Sequence, residues 1–266
     1  FAPPRADRRR GAGAQRPPDG ETVEGRNVVI EALAAGSPLV EILVDDRARA
    51  TDKLDQLEAL AAQRGVPLRR VARAVLDQAS HTLAHNGVVA RGPACPVRPL
   101  AELFPGAGPH APAVVVLAGL RGHEELGAIL RTAECVGAAG VAVEAGPGPA
   151  VSSAARRVSM GAAERLSLAE VALPDGLADC RRRGARVVLV LPTGAASPAI
   201  PHFAADLRGP IVLVFAPPRV ALVCAPFADA TITLGGVAPA RKVPLPLAVA
   251  AVLYEWDRQI RAAETP

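Results

Sequence analysis

The chain has no paired cysteines, no apolar run long enough for a membrane and no glycine-rich nucleotide loop, and each absence removes a class of protein. Its four cysteines, Cys95, Cys135, Cys180 and Cys224, are widely spaced among 266 residues. None forms a C-x-x-C pair or has a histidine at metal-ligand spacing, so no zinc site is expected. Buried free thiols in a reducing compartment are expected instead. Pro, Gly or charge interrupts every apolar run before the roughly 20 residues that a spanning helix needs, which predicts a soluble protein. No G-x-G-x-x-G or P-loop follows any strand, and this counts against a nucleotide-binding α/β protein of unrelated chemistry.

Half of the residues are hydrophobic and 21% are charged, a balance that favours a packed core over disorder. The formal charge is +4 and the pI near 9.2, with Arg far outnumbering Lys. The planar arginine fork matches phosphate, so clusters matter more than the total. They occur at 8–10, 69–70, 156–157 and 181–183. Each cluster, taken alone, also reads as a solvated face.

Residues 1–22, rich in Pro, Gly and Arg, read as a flexible basic arm that touches RNA or is the remnant of an organellar targeting segment. From Val23 the pattern changes. EGRNVVIEALAAG predicts a helix ending at Gly36, VEILVDD a short buried strand, and 51–64 a helix burying Leu54, Leu57 and Leu60. This small α/β unit spans 23–92 and is followed by a Pro-containing linker over 93–110. The second unit, 111–266, opens with PAVVVLAGL, an apolar run typical of a parallel strand covered on both faces. Strands and helices then alternate to the closing helix PLAVAAVLYEWDRQIRAA, which predicts a parallel sheet with helices on both sides.

Several segments resemble the SpoU/TrmH family of RNA ribose 2'-O-methyltransferases. EGRNVVIEALAAG with LDQASHTLAHNGVVA is similar to the small RNA-binding domain that precedes SpoU-type methyltransferase domains, with Asn86 where that pattern has Gln. LAGLRGHEELGAILRTAECVGAAGVAV resembles the family's first motif, RRVSMGAAERLSL its central segment and PLPLAVAAVLYE its closing helix. The resemblance implies a trefoil-knotted α/β domain that dimerises, with itself or with an active relative, and that binds S-adenosylmethionine in the knot to methylate ribosomal or transfer RNA. It also implies a cytoplasmic address, or an organellar one if the basic arm is a targeting remnant.

A ribose hydroxyl is a poor nucleophile and needs a group that orients and deprotonates it. The resemblance gives that part to Arg131, with Glu125 at the position where the family usually has Asn. It places the cofactor at Phe215, Ala216, Leu234 and Leu245, and RNA at Arg26, His85, Asn86, Arg156 and Arg157. Gly127 and Gly161 match family glycines and are expected to permit close packing, while His85 and Asn86 read first as turn chemistry before a strand, with RNA contact the lesser option. The chain departs from the pattern at Glu125, at Pro217-Pro218 where a glycine-rich loop is usual, and at Lys242-Val243-Pro244 in the third motif. Two readings follow: an S-adenosylmethionine-dependent RNA methyltransferase with an atypical donor loop, or a catalytically silent RNA-binding or ribosome-assembly relative.

Overall fold

The computed structural model describes residues 18–104, 111–147, 150–191, 199–234 and 243–264. The first unit runs β1 (Thr22–Glu24), α1 (Arg26–Ala34), β2 (Glu41–Asp45), α2 (Asp52–Arg64), β3 (Leu68–Val71), α3 (Arg73–Ala79) and β4 (Val88–Arg91). Its four strands are ordered β1-β4-β2-β3, with only β2 and β3 parallel. The apolar spacing of α1 and α2 explains their packing: Val28, Val29, Leu33, Leu54, Leu57 and Ala61 are all buried against Ile42, Val44 and Val88. Thr51 caps α2 by accepting from Leu54 N–H, and Gly65 ends it in the left-handed conformation that glycine tolerates.

The second unit contributes β5 (Val97–Pro99), β6 (Val114–Leu117), α4 (His123–Cys135), β7 (Gly140–Glu144), α5 (Ser153–Ser159), α6 (Ala162–Arg165), β8 (Ser167–Val171), α7 (Asp175–Arg182), β9 (Arg186–Leu191), β10 (Ile200–Pro201), β11 (Ile211–Phe215), α8 (Pro218–Cys224), β12 (Ala230–Thr233) and α9 (Leu245–Glu264). All pairings in its eight-stranded sheet are parallel, in the order β10-β12-β9-β11-β6-β7-β8-β5. Strand alternation splits the core. Val115, Leu117, Val141, Leu213 and Phe215 face α4, α5 and α9, whereas Val114, Val116, Leu189, Val212 and Val214 face α7 and α8. The expected two-faced parallel sheet is therefore present. The knot implied by the resemblance turns on the path of 235–242, between β12 and α9, which lies outside the described residues.

Two segments are more ordered than the sequence predicts. The end of the presumed arm docks on α5: Asp19 Oδ1 accepts from Ser153 N–H, and Thr22 Oγ1 donates to Ser153 Oγ at 2.6 Å. Short polar contacts of this kind leave no apolar periodicity. The linker likewise supplies β5, an edge strand beside β8, and buries Leu100 and Leu103. Residues 1–17 and 105–110 lie outside the described residues.

The two units meet around a buried ion pair of the second unit. Arg156 on α5 is 2% exposed and donates from Nε to Glu164 Oε1 at 2.9 Å. Its Nη1 donates to the carbonyls of Gly20 and Pro93, at 2.7 and 3.3 Å, so it grips both ends of the first unit. Glu164 completes the joint by accepting from Ser37 Oγ at 2.6 Å. Nearby, Arg165 bridges Glu31 of the first unit and Glu134 of the second.

Close packing in the α4 to α6 region depends on glycine, as expected. A Cβ at Gly127 would lie 2.6 Å from Val158 Cβ and 2.8 Å from the Ala155 carbonyl oxygen. At Gly161, φ is +93° and a Cβ would lie 2.5 Å from Glu31 Cβ. Three cysteines are buried and free, and burial pushes the Cys95 thiol up to about 12 and Cys180 to about 11. Cys135 departs from the expectation of burial, because it falls on the solvent side of the last turn of α4. Among the described residues, no helix is long and apolar enough to cross a membrane and no group of His, Cys, Asp and Glu is arranged to hold a metal.

Arg156→Ala leaves Glu164 buried without its cation and is expected to lower unfolding free energy by about 3–5 kcal/mol in a denaturant titration. Gly127→Ala is expected to cost about 1–3 kcal/mol in the same measurement by overpacking α4 against α5.

Candidate functional site

The order of the large sheet reverses at β6 and β11: the chain extends from β6 to β7 and β8 on one side, and from β11 to β9 and β12 on the other. Crevices form outside the carboxyl ends of strands at such a reversal. A cleft of about 290 Å3 lies there, lined by Ala118 and Gly119 after β6, Leu191 of β9, Phe215 to Pro218 at β11, and Leu234 after β12. Leu245 and Ala248 of α9 close one wall, and Arg121 and Glu125 stand at the α4 side. Four residues expected to meet a cofactor, Phe215, Ala216, Leu234 and Leu245, are thus brought together with Glu125.

The floor is tightly built. Gly119 has φ +63°, and a Cβ there would lie 2.8 Å from Pro217 Cγ, so only glycine lets the β6 loop close on the β11 loop. Gly119 N–H donates to Glu144 Oε2 at 3.2 Å. Pro217 and Pro218 do not form the open loop of the family pattern. Pro218 starts α8, where its missing N–H costs nothing and its fixed φ suits a first helical residue. The sequence reading missed α8, although Pro at that position is itself a helix-start signal. Val243 and Pro244 line the cleft as well, whereas Lys242 lies outside the described residues.

Glu125 is half-buried, and one of its oxygens, Oε2, accepts from Arg121 N–H at 3.3 Å. Arg131 is not brought to Glu125. Six residues along α4 place it on another side of the helix, and it is exposed and outside the cleft lining.

A second cleft, of about 720 Å3, follows the seam between the units. It is lined by Arg26, Asn86 and Arg157, three of the residues expected to touch RNA, together with Met160 of the second unit. His85 and Arg156 are the other two, and the structure corrects their placement. His85 is fully buried, with Nε2 2.9 Å from Asp77 Oδ1 and Nδ1 accepting from Gly87 N–H at 3.1 Å, so it holds the turn before β4. Asn86 and Gly87, at φ +49° and +79°, make that turn. Arg156 is consumed by its pair with Glu164 and by the Gly20 and Pro93 carbonyls. Adjacent arginines point about 100° apart on a helix, which puts Arg156 inside and Arg157 at the cleft. The reading also missed Arg47, Arg49, Lys53 and Arg73 in the same lining. The signal of the first three, DDRARATDK, was diluted by acidic neighbours.

Glu24 underlies this cleft. Burial pushes its carboxyl up, but hydrogen bonds from Thr82, Ser80 and the His81 N–H outweigh that and hold it below its ordinary 4.5.

Comparison with known proteins adds the following. The family described as "RNA 2'-O ribose methyltransferase substrate binding" matches residues 22–94, and the "SpoU rRNA Methylase family" matches 112–217. A relative from Mycobacterium avium (strain 104), described as an uncharacterized tRNA/rRNA methyltransferase, is 33% identical over 177 residues, 66% of this chain. The matched region is 57% of that relative, so the chain spans a little over half the length of the curated relatives it matches. Among solved structures, the SpoU methyltransferase AviRb from Streptomyces viridochromogenes, in complex with AdoMet, superposes with a TM-score of 0.74 at 20% identity, covering 90% of this chain and 89% of that one. An AdoMet-bound rRNA methyltransferase from Sinorhizobium meliloti gives 0.71 at 22% identity, covering 89% and 86%. At these identities the structural likeness is one of fold.

The contribution of Glu24 to stability is fully present above its ordinary value and is lost as pH falls through its lowered native value. Denaturant titrations of the wild type and Glu24→Gln should therefore differ most near about pH 7 and converge as pH falls through the lowered native range of the carboxyl.

Proposed function

Because the chain belongs to the SpoU rRNA methylase family, with that family's substrate-binding unit ahead of its methylase unit, we propose that it is a ribose 2'-O-methyltransferase of ribosomal or transfer RNA that uses S-adenosylmethionine. The observation that carries this reading is the cleft at the carboxyl ends of β6, β9, β11 and β12. Its lining suits the donor: Phe215, Leu191, Leu234, Leu245 and Ala248 form apolar walls for a purine ring, and the glycine at 119 lets two loops approach closely. Proline removes an N–H but keeps its carbonyl, so the Pro217 to Pro218 wall still accepts hydrogen bonds from an amino group.

When bound, the donor supplies a methyl group on a positively charged sulfur to the oxygen of a ribose 2'-hydroxyl. Glu125 is the anionic side chain of the lining, placed to attract positive charge or to take up the hydroxyl proton. Arg121 offers a guanidinium for a carboxylate at the mouth. The apolar walls exclude water and strengthen both interactions. Arg131, exposed on α4 outside this cleft, contacts RNA phosphate in this reading, either beside its own cleft or beside that of a second copy. Dimerisation, with itself or with an active relative, the knot and a cytoplasmic address belong to the same proposal.

A specific feature favours a second reading. Pro217, Pro218 and Pro244 all line the cleft, so three backbone donors are missing from its wall. A silent relative would keep the RNA grip without the donor.

Calorimetric titration with S-adenosylmethionine separates the two. Micromolar binding with methyl transfer to ribosomal or transfer RNA is the expected result, and absent binding beside intact RNA affinity would establish the silent reading. Glu125→Gln should lower turnover by about 10- to 100-fold with little change in RNA affinity, and Arg131→Ala should weaken RNA association. An unchanged result for either variant removes that residue from the site.

A further inference from the structure

The seam cleft carries a charge pattern that extends beyond Arg26, Asn86 and Arg157, the lining residues that the resemblance assigns to RNA. Arg26, Arg47, Arg49, Lys53, Arg73 and Arg157 line it against two carboxylates, Glu24 and Asp45. Glu24 is fully buried and occupied by the hydrogen bonds from Ser80, His81 and Thr82. Asp45 is 8% exposed and pairs with Arg73 at 3.6 Å, while its Oδ1 accepts from Arg47 N–H. The other cations keep their charge. Lys53 donates only to the neutral amide of Asn27, at 2.7 Å, and Arg157 has a loose 4.0 Å contact with an exposed Glu124. Asp46 and Asp52, sequence neighbours of these cations, are outside the lining.

Two further observations point to an anion. The Nε atoms of Arg26 and Arg157 are buried without a hydrogen-bond partner, one from each unit of the seam. Gly25 heads α1 without any side-chain cap, so the first-turn N–H groups beside Arg26 and Asn27 have no side-chain acceptor. An uncapped helix start beside arginine side chains that line one cavity forms a site for a run of negative charge, and the arginine forks suit phosphate oxygens.

We propose that this cleft is a phosphodiester-backbone site spanning both units, in which Arg47, Arg49 and Lys53, from the loop after β2 and the first turn of α2, contact successive RNA phosphates while Arg157 holds the strand from α5. The inference rests on the reading that the chain acts on RNA, and it names where the RNA backbone runs. Because Arg157 follows the buried Arg156, a strand held here is fixed relative to the methylase unit rather than to a free substrate domain.

The test uses the full chain and a fluorescein-labelled RNA hairpin, with affinity measured by anisotropy from about 50 to 200 mM KCl. Each lost phosphate contact reduces the slope of log affinity against log salt by about 0.7–0.9, so Arg47→Ala/Arg49→Ala/Lys53→Ala should flatten it by about 2 and weaken binding by about tenfold or more. Arg157→Ala alone should flatten it by about 1. The control Arg182→Ala/Arg183→Ala removes exposed charge from α7, outside both clefts, and should leave the slope at its wild-type value. The lining arginines 47 and 49 and Lys53 are exposed, so an unchanged melting temperature should accompany the loss. A triple variant with wild-type slope and affinity, a control that flattens the slope equally, or a wild type that does not bind the hairpin would overturn the proposal. A flattened slope beside absent methyl transfer by the wild type would leave the cleft standing and remove the methyltransferase reading alone.

Discussion

The Arg156–Glu164 pair sets the relation between the two units. A guanidinium buried at 2% exposure needs all of its hydrogen-bonding directions satisfied, and here they are met by a carboxylate and by carbonyls from the two ends of the first unit. Any rotation of one unit on the other would leave the pair intact but take from it the Gly20 and Pro93 carbonyls and the Ser37 hydroxyl. A buried ion pair adds little stability over an apolar contact of the same shape, yet losing one partner is costly. Its effect in this chain is to select one arrangement of the units, supported by the Thr22, Asp19 and Ser153 contacts and by Arg165 between Glu31 and Glu134.

That arrangement separates two environments. The cleft at the strand ends is apolar, with one anionic and one cationic side chain at its edge. The seam cleft is polar and strongly cationic. Both are bordered by the region that α4 and α5 form together, and those helices pack closely because Gly127 has no side chain to hold them apart. A small organic cation with a purine ring fits the first environment, and a polyanion fits the second.

Much of the fold was legible because burial imposes periodicity. VVVL, RVVLVL and IVLVF read as strands covered on both faces, and DKLDQLEALAAQR as an amphipathic helix, and each has that form. Phe215, Ala216, Leu234 and Leu245, which line the strand-end cleft, were named through the resemblance alone, since nothing in their own chemistry marks them. What the sequence concealed was direction. Arg156 and Arg157 are indistinguishable as letters, but one becomes the interdomain anchor and the other faces the seam. His85 was a candidate ligand on paper and is a fully buried turn residue in the fold. Arg47, Arg49 and Lys53 were hidden because their acidic neighbours balance them along the chain, although Asp46 and Asp52 stay out of the cleft that the cations line. Arg131 and Glu125 share a motif yet occupy different sides of α4.

The large sheet ends in very short strands, β10 with two residues and β5 with three, and each finishes on a proline, Pro201 and Pro99. A proline offers no amide to an incoming strand, and so brief a border gives it little to register against. Strand-to-strand growth of this sheet is therefore blocked at both margins, and a second copy meeting the second unit would approach it through helices and loops.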